Sequence, residues 1–258
     1  MIKEFGRYIV WGCISVCYFV NAQFTQIPRW FQETPENKSC IFAVGIANRY
    51  SNDLRSFMAA REDGVGNLIR SSKVRVRSGL AQYVVGSSIE VKSFTTEEID
   101  SMLYKIAGDN AVVLDSVLTN KQAIVLLGWN KESSKNSESC TIPWRLYKIN
   151  TKPLQQPHWV RLAPKKRGYM YGVGMGKSYS DLARSWNESA KNGRLEIGKQ
   201  IKISQSKLEY HHDSGGDFEK SWMEEVVDVI LKGTSVKERW YDAERDIYYT
   251  LVEYRIPK

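Results

Sequence analysis

Residues 171–186, YGVGMGKSYSDLARSW, place a glycine-rich run and Lys177-Ser178 ahead of a helical pattern, the ingredients of a phosphate-cradling loop. Such a loop needs G-x-x-x-x-G-K-[ST], so that successive backbone N–H groups wrap a phosphate and the lysine reaches its outer oxygens. Here Tyr171 occupies the place of the first glycine and Gly172 falls one residue too late, so the loop is short. GVGMG also fails G-x-G-x-x-G. The best apolar run ending in a metal-holding aspartate, AVVLD at Asp115, lies upstream rather than downstream. The run therefore reads as a tight strand-to-helix turn, and no cofactor is expected.

Other reactive side chains are sparse. His211 and His212 are adjacent in a strand-like stretch, which turns their rings to opposite faces and away from a shared metal. His158 stands beside Trp159. There is no cysteine or carboxylate cluster at zinc spacing and no G-x-S-x-G elbow. Glu97-Glu98 and Glu224-Glu225 read as helix surface. No catalytic or metal-binding residue is assigned, and an enzyme ranks third among the functional readings. The aromatic pair Trp30 and Trp159 is a better candidate site. Each follows a proline and precedes the first strand of its half, either as a lid on a sheet or as an anchor for a protein partner or sugar ring.

The elements that would position these residues come in two sets. IPRWFQ (27–32) and QPHWVR (156–161) share Pro-x-Trp, and FAVGIANRYSNDLRSF from Phe42 aligns with YGVGMGKSYSDLARSW from Tyr171. Both pairs keep an offset of 129 residues, which reads as two copies of one module. At that offset the loop in the first copy keeps only its central glycine, Gly45. Small residues at alternate strand positions let a helix approach a sheet closely. Ser51 and Ser180 stand where helix caps belong. Downstream, TTEEIDSMLYKIAG carries a capping box at Thr95 and Glu98 and an apolar face of Ile99, Met102, Leu103 and Ile106, with Gly108 as stop. Its counterpart FEKSWMEEVVDVILKG starts at Asp217 and offers Trp222, Val226, Val229 and Ile230, with Gly233 as stop. KVRVRSGLAQYVV and QIKISQSKLEY read as matching strands. Two final strands close each copy, around TNKQ and around DAER. The expected fold class is α+β: strand, helix, strand, helix, strand, strand in each copy, with an antiparallel-rich sheet covered by helices.

The chain's 258 residues accommodate this as a signal peptide (1–22), a first module (23–131), a polar connector (132–156) and a second module (157–258). MIKEFGRYIVWGCISVCYFVNAQ has Lys3 and Arg7 before an apolar run, and small or neutral residues before a cut between Ala22 and Gln23. Cleavage leaves Cys40 and Cys140, in a compartment that permits disulfides. Pairing and free thiols are both open, since neither flank has redox or zinc spacing. A bridge would stabilise by about 4–5 kcal/mol in the chain-entropy model. The net charge of +8 favours anionic partners, such as a membrane surface or acidic glycan. Its cations are scattered apart from PKKR at 164–167, and no nucleic-acid motif accompanies them, so no nucleic-acid partner is expected.

PHWV, YMYGVGMG, NGRLEIGKQI and LKGTSVKERWYDAERDIYYTLV together resemble the LPP-twenty family of bacterial membrane-associated lipoproteins. That family is similar in turn to the N-terminal domain of flagellar assembly protein T. The resemblance covers roughly residues 157–256, and more faintly 28–129. It implies a small α+β domain without catalysis, exported to the periplasm or the outer membrane. Two departures stand out: neither Cys13 nor Cys17 has a good lipid-attachment sequence, and the module occurs twice. The expected function is therefore a non-catalytic envelope interaction or assembly module with unidentified envelope proteins as partners. A glycan or anionic-ligand binding protein is the alternative. The sequence leaves the oligomeric state open.

Overall fold

The computed structural model describes residues 27–85, 88–130, 140–149, 155–210 and 227–257. The signal-peptide expectation, with Ala22 and Gln23, lies outside them, as do His211, His212, Asp217, Trp222, Glu224 and Glu225. The described chain is α+β, with antiparallel strand pairs throughout.

A short helix, α1 (Arg29–Gln32), leads into β1 (Cys40–Asn48), α2 (Asp53–Ser72), β2 (Lys73–Val85), β3 (Ser88–Ile99), α3 (Ser101–Asn110), β4 (Val112–Leu118) and β5 (Gln122–Asn130). Two 3-10 turns, Trp144–Tyr147 and His158–Val160, precede β6 (Tyr169–Lys177), α4 (Leu182–Tyr210), β7 (Val227–Lys232), β8 (Thr234–Asp242) and β9 (Ile247–Arg255). These form three sheets, β1-β5-β4, β6-β9-β8 and β3-β2-β7. The first and second are alike in order and direction. The third draws β2 and β3 from the first half and β7 from the second.

Glycine rows explain how each helix lies on its sheet. A Cβ on Gly45 would sit 1.9 Å from the Ala60 carbonyl oxygen, and one on Gly174 1.8 Å from that of Ser189. Ala60 and Ser189 are themselves 129 residues apart. Gly172 and Gly176 face α4 in the same way. GVGMG is thus a strand whose helix-facing side has been stripped to backbone, and it forms no phosphate loop.

The helix starts recur in detail too. The Tyr50 N–H donates to Ser56 Oγ at 2.8 Å, and the Tyr179 N–H to Ser185 Oγ at 2.9 Å. Arg55 lies over the Tyr50 ring and Arg184 over Tyr179. The caps are one residue later than Ser51 and Ser180. Asn52 accepts from the Arg55 N–H, and Asp181 from the Ala183 N–H.

Several elements depart from the sequence reading. Residues 88–99 are strand, and α3 starts after Asp100, whose carboxylate accepts from Met102 N and Leu103 N. Thr95 and Glu98 therefore pair across to Ser78 and Arg75 instead of forming a capping box. Helix α3 buries Ala107 and leaves Met102 exposed. It also runs past Gly108, whose carbonyl accepts from Arg61 at 2.6 Å. QIKISQSKLEY continues α4 as helix, and Val227–Lys232 is strand. Both follow from β2, which takes β7 as its neighbour. Val74, Val76 and Leu231 then bury themselves against Ile197 of α4.

Candidate functional site

The two tryptophans come first. Trp30 is fully buried and Trp159 nearly so: of the two alternatives, a lid on the sheet or an exposed anchor, both indoles take the position of a lid. Each covers the sheet face opposite the main helix and sends its indole N–H to a carboxylate. Trp30 donates to Asp115 at 2.8 Å, and Trp159 to Glu238 at 2.6 Å. Both acceptors directly follow a register shift in the outer strand of their hairpin, Val113/Asp115 and Val236/Glu238. A bulge re-aims a side chain, and here it turns a strand carboxylate towards the lid. Aligning VVLD with SVKE exposes this signal, but only once the hairpins are known to be equivalent.

The halves are fastened by polar contacts that sequence reasoning missed. Glu97 of β3 is almost fully buried and receives two N–H groups from Arg194 of α4, at 2.5 and 3.1 Å, while Arg70 of α2 approaches at 3.2 Å. Glu97 is thus a buried ion-pair centre and not a helix-surface carboxylate. Asn48 receives the Leu182 N–H at 3.2 Å and donates to the Ser180 carbonyl, so the end of β1 caps α4. Asp63 accepts from Ile46 N, Asn67 Nδ2 and Asn187 Nδ2. Burial pushes its carboxyl up to about 6, against the opposing hydrogen bonds from Asn187 and Ile46 and the charge of Arg70.

Asp63 and Asn187 line a cleft of about 540 Å³ with Asn48, Tyr50, Asp181 and Arg184. A carboxyl near 6 has the right proton affinity for acid–base work. Its oxygens, however, are occupied by three donors: Ile46 N and Asn67 Nδ2 from its own half, and Asn187 Nδ2, which ties it to the other. This arrangement is a latch, and the geometry assigns it no reacting partner.

Cys40 and Cys140 form a disulfide with a Cα separation of 5.7 Å, tying the start of β1 to the segment after β5. Gly128 makes room for it, since a Cβ there would lie 3.0 Å from Cys140 Cβ. His158 is exposed on its 3-10 turn, and Lys177 is exposed at the end of β6. Among the described residues, no group of three or more His, Cys, Asp or Glu is placed to hold a metal, and no helix is long and apolar enough to cross a membrane.

The second half carries the glycine row, the lid on Glu238 and the closing hairpin within one continuous stretch. Residues 157–255 match the LPP20 lipoprotein family. The LPP20-like stretch thus runs from the 3-10 turn of Trp159 to the end of β9, and it points to an exported, membrane-associated lipoprotein. No curated protein and no solved structure matches the chain.

Proposed function

We propose that this is a non-catalytic envelope protein built from two tandem LPP20-like units, working as an interaction or assembly module. The observation that carries this reading is the repetition of the LPP20-like architecture at residues 27–130. Its glycine contact, serine–tyrosine bond and tryptophan–carboxylate lid recur there in the same order. What recurs is packing, and the polar groups that differ between the halves are used to join them. A ligand-binding protein would be expected to keep polar groups free in a cleft. The glycan alternative drew on the aromatics and the basic charge; Trp30 and Trp159, being buried, offer it no open platform. An anionic-surface contact keeps one support: exposed Leu162 beside the PKKR loop at 164–167.

The test is cross-linking in living cells of the source organism, followed by capture through a C-terminal tag. Near-stoichiometric recovery of one or two envelope proteins, or of the chain itself, supports assembly. Failure to recover any protein, where a known envelope complex is recovered in parallel, overturns it. Salt-reversible retention on isolated cell wall or anionic vesicles would favour the surface contact instead.

A further inference from the structure

We propose that the chain associates with further copies of itself head to tail, repeating between molecules the contact that joins its own two halves. The inference rests on the tandem assembly reading above and names its partner as a second copy of this chain.

The contact within the chain has two sides. One is an apolar strip on the sheet face opposite α2: Phe42, Val44 and Ile46 of β1 with Ile124 and Leu126 of β5, lidded at one end by Trp30 and Phe31. The other side comes from the second half. Leu182, Ala183 and Trp186 at the start of α4, with Tyr241 and Tyr248, close over the strip. Trp186 meets Phe31 edge-on at 5.4 Å and Tyr248 at 4.8 Å between ring centroids. As a result Ile46 is only 3% exposed.

The second half builds the same strip again. At the 129-residue offset Phe42, Val44 and Ile46 become Tyr171, Val173 and Met175, and Trp30-Phe31 becomes Trp159-Val160. Tyr249 and Leu251 of β9 stand in for Ile124 and Leu126. Part of this second strip is covered within its own half: Trp240 of β8 lies against Tyr249 at 5.3 Å between ring centroids, and Trp159, Tyr249 and Leu251 are buried. Its β6 edge is open, with no described residue in the place that Trp186 takes over Ile46. Tyr171 and Val173 are half-buried, and Met175, the counterpart of Ile46, is 57% exposed.

The missing side exists at the opposite end of the molecule. The counterparts of Ala183, Trp186 and Asn187 are Leu54, Phe57 and Met58, at the start of α2. Leu54 is 68% and Met58 57% exposed. These are large apolar side chains where a solvated helix start normally carries polar ones. Among the described residues, then, Met175 at the β6 edge of the strip and Leu54 and Met58 at the start of α2 are left open, while Phe57 between them packs against the core of its own half; the counterparts of the two open surfaces meet each other inside the chain.

The polar groups agree with this pairing. Inside the chain Asn48 caps the start of α4 and donates to the Ser180 carbonyl. Between molecules its place is taken by Lys177, facing the Ser51 carbonyl and the Asp53 carboxylate, which already holds Arg49 of its own chain at 3.1 Å. A cation there meets both a carbonyl and an anion. The Asp63–Asn187 bond becomes Asn192 beside Met58, so the contact between molecules is the more apolar of the two. Because it joins two different surfaces, it does not close on itself by a two-fold axis. It continues to a ring or a filament.

Sedimentation velocity of the purified chain over a concentration series tests this, with Met175→Asp disabling the strip and Leu54→Asp disabling the helix start. Both positions are exposed, and circular dichroism confirms that each variant is folded. Lys177→Glu serves as a second strip variant that leaves the apolar packing intact. The expected result is growth of the unaltered chain beyond dimer, loss of all species above monomer in each variant alone, and recovery of a dimer and nothing larger when Met175→Asp and Leu54→Asp are mixed. The mixture keeps one working contact and so stops at two. An unaltered chain that stays monomeric throughout overturns the inference, because another segment or another protein then covers the strip. A dimer that survives both variants overturns it too. In either case, capture of a different envelope protein from cells would leave the assembly reading standing.

Discussion

Replacing Gly174 by alanine adds one methyl group at the closest helix–sheet contact in the second half. The new carbon would lie 1.8 Å from the Ser189 carbonyl oxygen and 2.3 Å from the Gly193 nitrogen, whereas real Cβ atoms essentially never come within 3.0 Å. Neither neighbour is a side chain that can swing away. Both are helix backbone, so α4 must lift from β6 by more than an ångström. Overpacking of this kind costs about 1–3 kcal/mol. The lift also separates Ser189 Oγ from Thr250 Oγ1, now 2.5 Å apart in a fully buried pair, and losing that bond adds about 1 kcal/mol. The expected loss is therefore about 3 kcal/mol or more, read as a fall in urea midpoint at constant slope. Gly45→Ala should behave alike, since its Cβ meets the Ala60 carbonyl at 1.9 Å. Gly108→Ala is the control: nothing lies within 4 Å of its Cβ in α3, and alanine there should stabilise by about 0.5–1 kcal/mol. If Gly174→Ala came within about 1 kcal/mol of the unaltered protein, the glycine row would not be the reason α4 sits where it does.

Three further outcomes follow from the contacts between the halves and from the disulfide. Glu97→Gln leaves Arg194 buried beside a neutral amide, and should destabilise by about 3–5 kcal/mol in denaturant unfolding; a loss below about 1 kcal/mol would mean the pair behaves as an exposed one. Asp63 is neutral more readily in the folded protein than unfolded, so its stabilisation is present below its ordinary pKa of 3.8 and is lost as pH rises through about 6. That amounts to roughly 2–3 kcal/mol, and the corresponding pH slope of the urea midpoint should flatten in Asp63→Asn; an unchanged slope would assign the titration elsewhere. Cys140→Ser opens a bridge between residues 100 apart in sequence and should cost about 4–5 kcal/mol, seen equally on reduction of the native chain. A reductant that left the unfolding midpoint unmoved would count against that bridge.

What the sequence determined by itself is local. Small residues at alternate positions, at one offset in both halves, foretold the two helix-on-strand contacts. The polar turns TNKQ and DAER, each between two strand-like runs, located both closing hairpins. Such features depend on neighbours a few residues away, so periodicity records them. Tertiary structure decided the rest. VDVILK has β-branched residues and also a helical spacing, and only the open edge of β2 selects strand for it. QIKISQSKLEY alternates like a strand, yet α4 keeps it because Ile197 and Ile201 lie along the side that meets the third sheet. Glu97 looks like any surface glutamate until β3 carries it between α2 and α4, where Arg70 and Arg194 arrive from 27 and 97 residues away. Trp30 and Trp159 became lids because a bulge in each outer strand offers the indole a carboxylate. A chain pattern can name the faces of an element; which surface each face meets depends on where the other elements have gone.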